Sequence, residues 1–213
     1  MHVLLFDDPA IRPHLLPFTF TRPISGLRCG ILTLAEKWQH RLQLPVGYLT
    51  ELYLQAKYPA GSVQGPALVI NGAICPSDML VQQVQRLQAG EALYSDQTLV
   101  AAHLADASMV AELIQDGFQN THEVEEPITI IQQVWHLFLY NGAEIRRDFD
   151  LLTKGRQSEP VGDAHTIVYA PENIFIEPGV KIRAAILNAE NGPIYLGKNS
   201  QVHEGAIIRG RLR

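Results

Sequence analysis

Apolar residues follow one rhythm over roughly the first 150 positions of this chain and another after Ile167. Val3–Phe6 is a short apolar run closed by Asp7-Asp8-Pro9, which predicts a buried strand and then a loop. From Arg12 to Gly30 the chain is dense in proline and glycine, too interrupted for a helix; a long loop inside a compact domain is usually functional. Ile31, Leu34, Ala35, Trp38 and Leu42 recur at the spacing of an amphipathic helix over Ile31–Leu42. Val46–Leu49 predicts a strand and Glu51–Tyr58 a short helix. Ala67–Ile70 predicts a buried strand ended by Asn71-Gly72. Ser77-Asp78 can cap a helix from Met79 to Leu87. Ala92–Tyr94 and Thr98–Ala102 flank Ser95-Asp96-Gln97 as a hairpin. Beyond it, helices are expected over Ala107–Ile114 and Ile130–Asp148, with Glu123-Val124 extended. Strands alternating with helices imply a layered α/β domain, with the polar stretch Thr153–Ala164 as its natural boundary.

After Ile167 large aliphatics step by six: Ile176 to Ile182, then Leu196 to Val202 to Ile208. Two positions ahead of each stand Ile174, Val180, Ile194, Ser200 and Ala206. Ile176-Glu-Pro-Gly and Leu196-Gly-Lys-Asn mark corners, where glycine or asparagine accepts a positive φ. Each hexad reads as one short strand plus a turn, and three hexads close one triangular coil of a left-handed parallel β-helix. The register breaks between Ile186 and Ile194, where Asn188–Pro193 fits a bulge or small loop. Residues 165–213 supply about two coils, whereas solenoids need about three or more repeats with a cap. The expectation is that the natural protein continues past Arg213, or that another chain covers this end.

Composition narrows the class. With 46% apolar and 18% charged residues the 213-residue chain can bury a sizeable core. A net charge of −5 argues against a general nucleic-acid binder. The only cysteines, Cys29 and Cys75, lack metal-type spacing and read as buried thiols. No signal peptide opens the chain and no run is long enough to span a bilayer, so a soluble, cytoplasmic protein without membrane partners is expected. The histidines include no i, i+4 pair of zinc-binding type, and His203 reads as a corner or surface residue.

Leu15-Leu-Pro-Phe-Thr-Phe-Thr-Arg-Pro23 resembles the segment that follows the glycine-rich signature of sugar-nucleotide pyrophosphorylases. With the C-terminal hexads, the order of parts is similar to bifunctional N-acetylglucosamine-1-phosphate uridyltransferase/glucosamine-1-phosphate acetyltransferase. A closer resemblance is to a divergent sugar nucleotidyl transferase branch of that group. It is carried by Leu4–Asp8, Leu16–Ser25, Arg28–Trp38, Ile70–Gly72, Asn141–Asp148 and Gly192–Gly197. The resemblance implies a small nucleotidyltransferase-like (Rossmann-like) α/β domain over 1–155. A linker and an incomplete left-handed β-helix over 156–213 would follow. It also implies a role in cell-envelope precursor synthesis, nucleoside triphosphate and sugar-1-phosphate as substrates, and Mg²⁺. A homotrimer built through the β-helix, and acetyl-CoA for a part beyond this chain, complete the picture.

Such a transferase must hold a triphosphate and neutralise charge on the leaving pyrophosphate. Asp7–Arg12 occupies the place of the glycine-rich loop, with Arg12 where the family signature has its arginine. Arg12 and Arg22 are therefore the candidate catalytic cations. Arg28, Thr19, Thr21, Asn71, Gly72, Asp7 and Asp8 are candidate substrate contacts. The family's Pro-Lys pair is Pro23-Ile24 here, and the position of its metal-binding Asp holds Ala73. Asp78 reads better as a helix cap. Asp7 and Asp8 either replace the missing carboxylate or solvate a turn; the metal candidates are Asp8 and Asn141, the latter equally a turn residue. Two other classes compete: an acyl-CoA-dependent sugar acyltransferase whose active part lies beyond this chain, and a non-catalytic nucleotide-sugar-binding or scaffold domain.

Overall fold

The computed structural model describes residues 2–61, 64–106, 108 and 117–211. The chain divides into two compact units, Met1–Arg28 with Leu32–Phe138, and Cys29–Ile31 with Leu139–Arg213.

The first unit is built on a six-stranded mixed sheet. Its strands are β1 (His2–Phe6), β2 (Val46–Leu49), β3 (Ala67–Asn71), β5 (Glu91–Ser95), β6 (Thr98–Leu104) and β7 (Asn120–Glu123). They lie in the order β2-β1-β3-β6-β5-β7. β1 runs parallel to both β2 and β3. β6 is antiparallel to β3 and β5, and β7 is parallel to β5. Successive β1 side chains enter different cores. Val3 and Leu5 pack with Leu68, Ile70, Trp38 and Leu80 on one face, and Leu4 and Phe6 with Ala67, Val69 and Ala102 on the other. A strand buried on both faces needs a continuous apolar run, which is why Val3–Phe6 does not alternate.

Helices α1 (Leu34–Leu42) and α2 (Asp78–Arg86) cover the first of these faces through Ala35, Trp38, Leu42, Leu80, Val81 and Val84. The Trp38 indole N–H donates to the Ile74 carbonyl at 3.0 Å, so this large side chain is buried with its polar atom satisfied. α1 starts three residues later than apolar spacing suggests. Thr33 and Glu36 form a reciprocal capping box there, which ends the preceding loop and leaves Ile31 outside the helix. Ser77 caps α2 by accepting from the Leu80 N–H at 3.0 Å, while Asp78 begins the helix and pairs with Arg41.

Two expectations shift for tertiary reasons. Glu51–Tyr58 forms a single 3-10 turn at Leu52–Leu54 followed by turns, not a helix. The helix expected from Ile130 begins at His136 and runs to Thr153 as α3. Ile130 is instead held in β8 (Thr129–Ile130) against β4 (Ile74–Cys75), and the Ile131 N–H donates to Ala73 at 2.8 Å. That long-range pairing overrides the helical periodicity of residues 130–135. The helix expected over Ala107–Ile114 falls, apart from Ser108, outside the described residues.

In the second unit the chain returns in turn to three short parallel ladders. β9 (Ile167–Tyr169), β12 (Ile186–Asn191) and β15 (Ile207–Arg211) form the first. β10 (Ile174–Ile176) with β13 (Ile194–Leu196) forms the second, and β11 (Lys181–Ile182) with β14 (Gln201–Val202) the third. Ile174, Ile176, Ile182, Leu187, Ile194, Leu196 and Val202 share one core, so the six-residue spacing is the spacing of inward positions. Gly179 and Asn199 take the positive φ of two corners, and the β12–β15 register shifts between Asn188 and Asn191, within the stretch where the hexads lose phase. The polar segment ahead of the ladders is also built in. Glu159 N–H donates to the Ile176 carbonyl at 3.0 Å, and the Ser158 hydroxyl accepts from Ile176 N–H at 2.9 Å. Arg156 donates to the buried Glu177 at 2.8 Å, lies 4.9 Å from the Phe175 ring centre, and shares Glu177 with the Tyr195 hydroxyl.

Candidate functional site

The first unit has one place where adjacent parallel strands send the chain in opposite directions. β1 leads toward β2 and β3 leads toward β6 and β5, so a crevice opens beyond their carboxyl ends. Asp7 and Asp8 follow β1, Thr50 follows β2, and Asn71-Gly72 ends β3. Asp7 turns inward. Its carboxylate accepts from the Arg12 guanidinium, the Thr50 hydroxyl and, at 2.7 Å, the Ile24 N–H. Burial pushes its carboxyl above the ordinary value, and the Thr50 and Ile24 hydrogen bonds and the Arg12 charge draw it part of the way back.

Asp8 points the other way. One oxygen accepts from Ala10 N–H at 2.9 Å and the other from the Asn71 side-chain amide at 3.0 Å. Asn71 is fully buried and fixed at both ends, its amide also donating to the Leu99 carbonyl and its oxygen accepting from Ala73 N–H. At Gly72 a Cβ would stand 3.0 Å from the Phe6 carbonyl and 3.2 Å from the Ser25 Cβ, so glycine lets the Pro23–Ser25 turn close over the strand ends. Beside Asp8 lies a cleft of about 530 Å³, lined among others by His14, Tyr94, Gln97, Gln132 and Gln133.

Arg12 does not reach into that cleft as a free cation. Its side chain, only 10% exposed, pairs with Asp7, donates to the Thr19 carbonyl at 2.6 Å and to the Tyr53 hydroxyl at 3.2 Å, and lies 3.6 Å from Glu51. Thr19 is buried, and its hydroxyl donates back to the Arg12 carbonyl at 3.4 Å. These bonds fold the Arg12–Phe20 loop onto itself. Thr21 and Arg22 are exposed, and Arg28, also exposed, stands 3.6 Å from Glu36; none of the three lines the cleft. Asp7, Asp8, Arg12, Thr19, Asn71 and Gly72 are therefore brought into one network, while Thr21, Arg22 and Arg28 stand outside it.

Asn141 belongs to the second unit. Its side-chain oxygen accepts from the Gly30 N–H at 2.8 Å, and Asp148, two turns along α3, accepts from the Ile31 N–H at 2.8 Å. Asn141 thereby fixes backbone. Glu144 and Asp148 are both buried on α3, Glu144 with Arg147 at 2.7 Å. Sequence reasoning did not single out these two, nor Thr50, Tyr53, His14 or the three glutamines. Thr50 carried a usable signal, since it occupies the same place after β2 that Asp7 occupies after β1. The Asn141, Glu144, Asp148 spacing marks one helix face.

Cys29 and Cys75 are buried and are not joined in a disulfide. Among the described residues no helix is long and apolar enough to cross a membrane, and no three His, Cys, Asp or Glu side chains converge on one point. A Mg²⁺ held in the way phosphoryl-transfer sites hold it needs one or two carboxylates and takes its other ligands from phosphate and water. Asp8 fits that requirement, because it lines the cleft and, among the described residues, each of its oxygens carries one protein hydrogen bond.

The model of the sugar nucleotidyl transferase family matches residues 3–157, which takes in the whole network around Asp7 and Asp8 and ends ahead of the ladders. The chain belongs to the sugar nucleotidyl transferase family. No curated protein matches it. For a sugar nucleotidyl transferase, the mixed sheet with its crevice at the β1 and β3 ends is a consistent framework, and the family implies nucleotide and sugar phosphate as substrates.

Proposed function

We propose that the first unit is a sugar-nucleotide pyrophosphorylase-type domain, joining a nucleoside triphosphate to a sugar-1-phosphate and releasing pyrophosphate. The observation that carries this reading is Asp8, held by Asn71 beside the cleft at the switch point of the sheet. In the reaction an oxygen of the sugar phosphate attacks the α-phosphorus, and the bond to the β-phosphate breaks in line with it. Bound at Asp8, Mg²⁺ would supply charge neutralisation on the polyphosphate. Asn71 orients the Asp8 carboxylate. Asp7, Thr50 and Arg12 hold the loop that presents it. Tyr94 and the Gln97, Gln132 and Gln133 amides, which donate and accept at once, suit base edges and sugar hydroxyls.

A further part of the proposal is that the three ladders, whose hexads and corners suit a left-handed β-helix, belong to a bifunctional, trimeric and cytoplasmic protein that uses acetyl-CoA. The inward turn of Arg12 favours a second reading, nucleotide-sugar binding without turnover. Pyrophosphate release decides between them. The chain with Mg²⁺, a panel of nucleoside triphosphates and a panel of sugar-1-phosphates should release pyrophosphate for at least one pairing. Binding in calorimetry with no release in any pairing would leave the binding reading and remove the catalytic one.

A further inference from the structure

The loop after β1 offers almost no backbone donors to an anion. Pro9 and Pro13 have no N–H. Ala10 N–H donates to the Asp8 carboxylate, Ile11 and Arg12 N–H to the Asp8 carbonyl at 3.1 and 2.9 Å, and His14 N–H to the Ile11 carbonyl at 3.0 Å. A glycine-rich phosphate loop works through just such amides, and here they are turned inward. The side chains repeat the pattern. The 3-10 turn Arg12–Leu15 buries Arg12 and Leu15 and leaves His14 exposed on the cleft. Among the described residues lining that cleft, Asp8 is the one carboxylate and His14 the one basic side chain; Tyr94 is the other titratable group.

We propose that His14, in its imidazolium form, is the cation that contacts the polyphosphate in this cleft, in the place where a lysine or an array of backbone amides would otherwise serve. The proposal rests on the nucleotidyltransferase reading of the cleft. A protonated imidazole donates from both nitrogens and carries charge, whereas the neutral ring does neither fully. The glutamines can hold neutral groups but cannot offset phosphate charge. Polyphosphate affinity should therefore depend on this one side chain and on the charge it carries.

The test is titration calorimetry of the full 213-residue chain. The ligands are the Mg²⁺ complexes of ATP, GTP, CTP, UTP and dTTP, with inorganic tripolyphosphate as a base-independent probe. Wild type, His14→Ala and His14→Arg are compared at about pH 5.5 and about pH 8.5. The ligand's own titration cancels in the ratio of wild type to His14→Arg. That ratio should fall about tenfold with rising pH, the scale of one charge-assisted hydrogen bond, and His14→Ala should bind weakly at both pH values. A ratio that stays constant, or a His14→Ala protein that binds as wild type at the lower pH, overturns the role of His14 while leaving the cleft a nucleotide site. Failure of wild type to bind any of these ligands at either pH overturns the reading of the cleft and the proposal with it.

Discussion

Replacing Arg12 by alanine separates a loop clamp from a ligand contact. The guanidinium is 10% exposed and its partner carboxylate, Asp7, 5% exposed, so water screens little of their interaction. Removing the arginine leaves Asp7 with the Thr50 hydroxyl and the Ile24 N–H but without its countercharge, and takes the 2.6 Å donor from the Thr19 carbonyl. Breaking a buried pair from one side costs about 3–5 kcal/mol. Against a total stability of about 5–15 kcal/mol that is a large fraction. At a urea slope of about 2 kcal/mol per M, a loss of about 3 kcal/mol moves the midpoint by about 1.5 M. Tryptophan fluorescence reports the right part of the chain, because Trp38 and Trp135 both lie in the first unit. The Asp7→Asn, Arg12→Met double variant removes both charges together and should recover most of the loss. If Arg12→Ala unfolds within about 0.5 kcal/mol of wild type while losing nucleotide affinity, Arg12 faces the ligand and the clamp is refuted.

Two further predictions concern the second unit. Gly30 has φ +93°, and a Cβ there would stand 2.5 Å from an Asp148 oxygen and 2.9 Å from the Glu144 carbonyl. Gly30→Ala should therefore cost about 3 kcal/mol or more in urea unfolding followed by circular dichroism, from an unfavourable φ plus weakened bonds to Asn141 and Asp148; a loss under about 1 kcal/mol would show that the turn moves freely. Glu177 is held below the ordinary carboxylate range first by the Arg156 hydrogen bond and then by that of Tyr195. A depressed carboxyl contributes stability above its unfolded value that fades as pH falls through the folded one, so the wild-type melting temperature should drop more steeply than that of Glu177→Gln below about pH 4. Parallel pH profiles for the two proteins would dismiss that contribution.

The parts of this chain written in short-range periodicity are legible in its amino-acid sequence alone. Hexads in residues 174–208 translate into parallel ladders because one residue in each hexad must face the same core. β1, β2 and β3 are legible as apolar runs closed by polar residues, and the same punctuation points to Asp7, Asp8 and Asn71. Side-chain direction within the long loop is not. Phe18 and Phe20 are more than half exposed while Thr19 between them is fully buried, the reverse of what polarity suggests, because Arg12 needs the Thr19 carbonyl. Arg12 looks like a phosphate ligand until Thr50 and Tyr53 are placed around it, and nothing local to residue 12 announces them. Asn141 and Asp148 likewise meet residues more than a hundred positions earlier, the Gly30 and Ile31 backbone.

The inward closure of the β1 loop has a consequence for how any anion is held beside it. Backbone amides at a glycine-rich loop are neutral dipoles that work at every pH and without a metal. Here the prolines remove two amides and the turn itself occupies the others from Ala10 to His14, while Asp7 neutralises the nearest arginine. Charge in the cleft must then be met by groups whose state is conditional: an imidazole that must be protonated and a carboxylate that attracts only a cation, so that it favours phosphate through Mg²⁺ and opposes it otherwise. Affinity for polyphosphate should consequently require both Mg²⁺ and the His14 side chain. A loop clamped by buried bonds presents these groups rigidly, so substitutions in the clamp and substitutions on the cleft should change different observables, stability in one case and ligand affinity in the other.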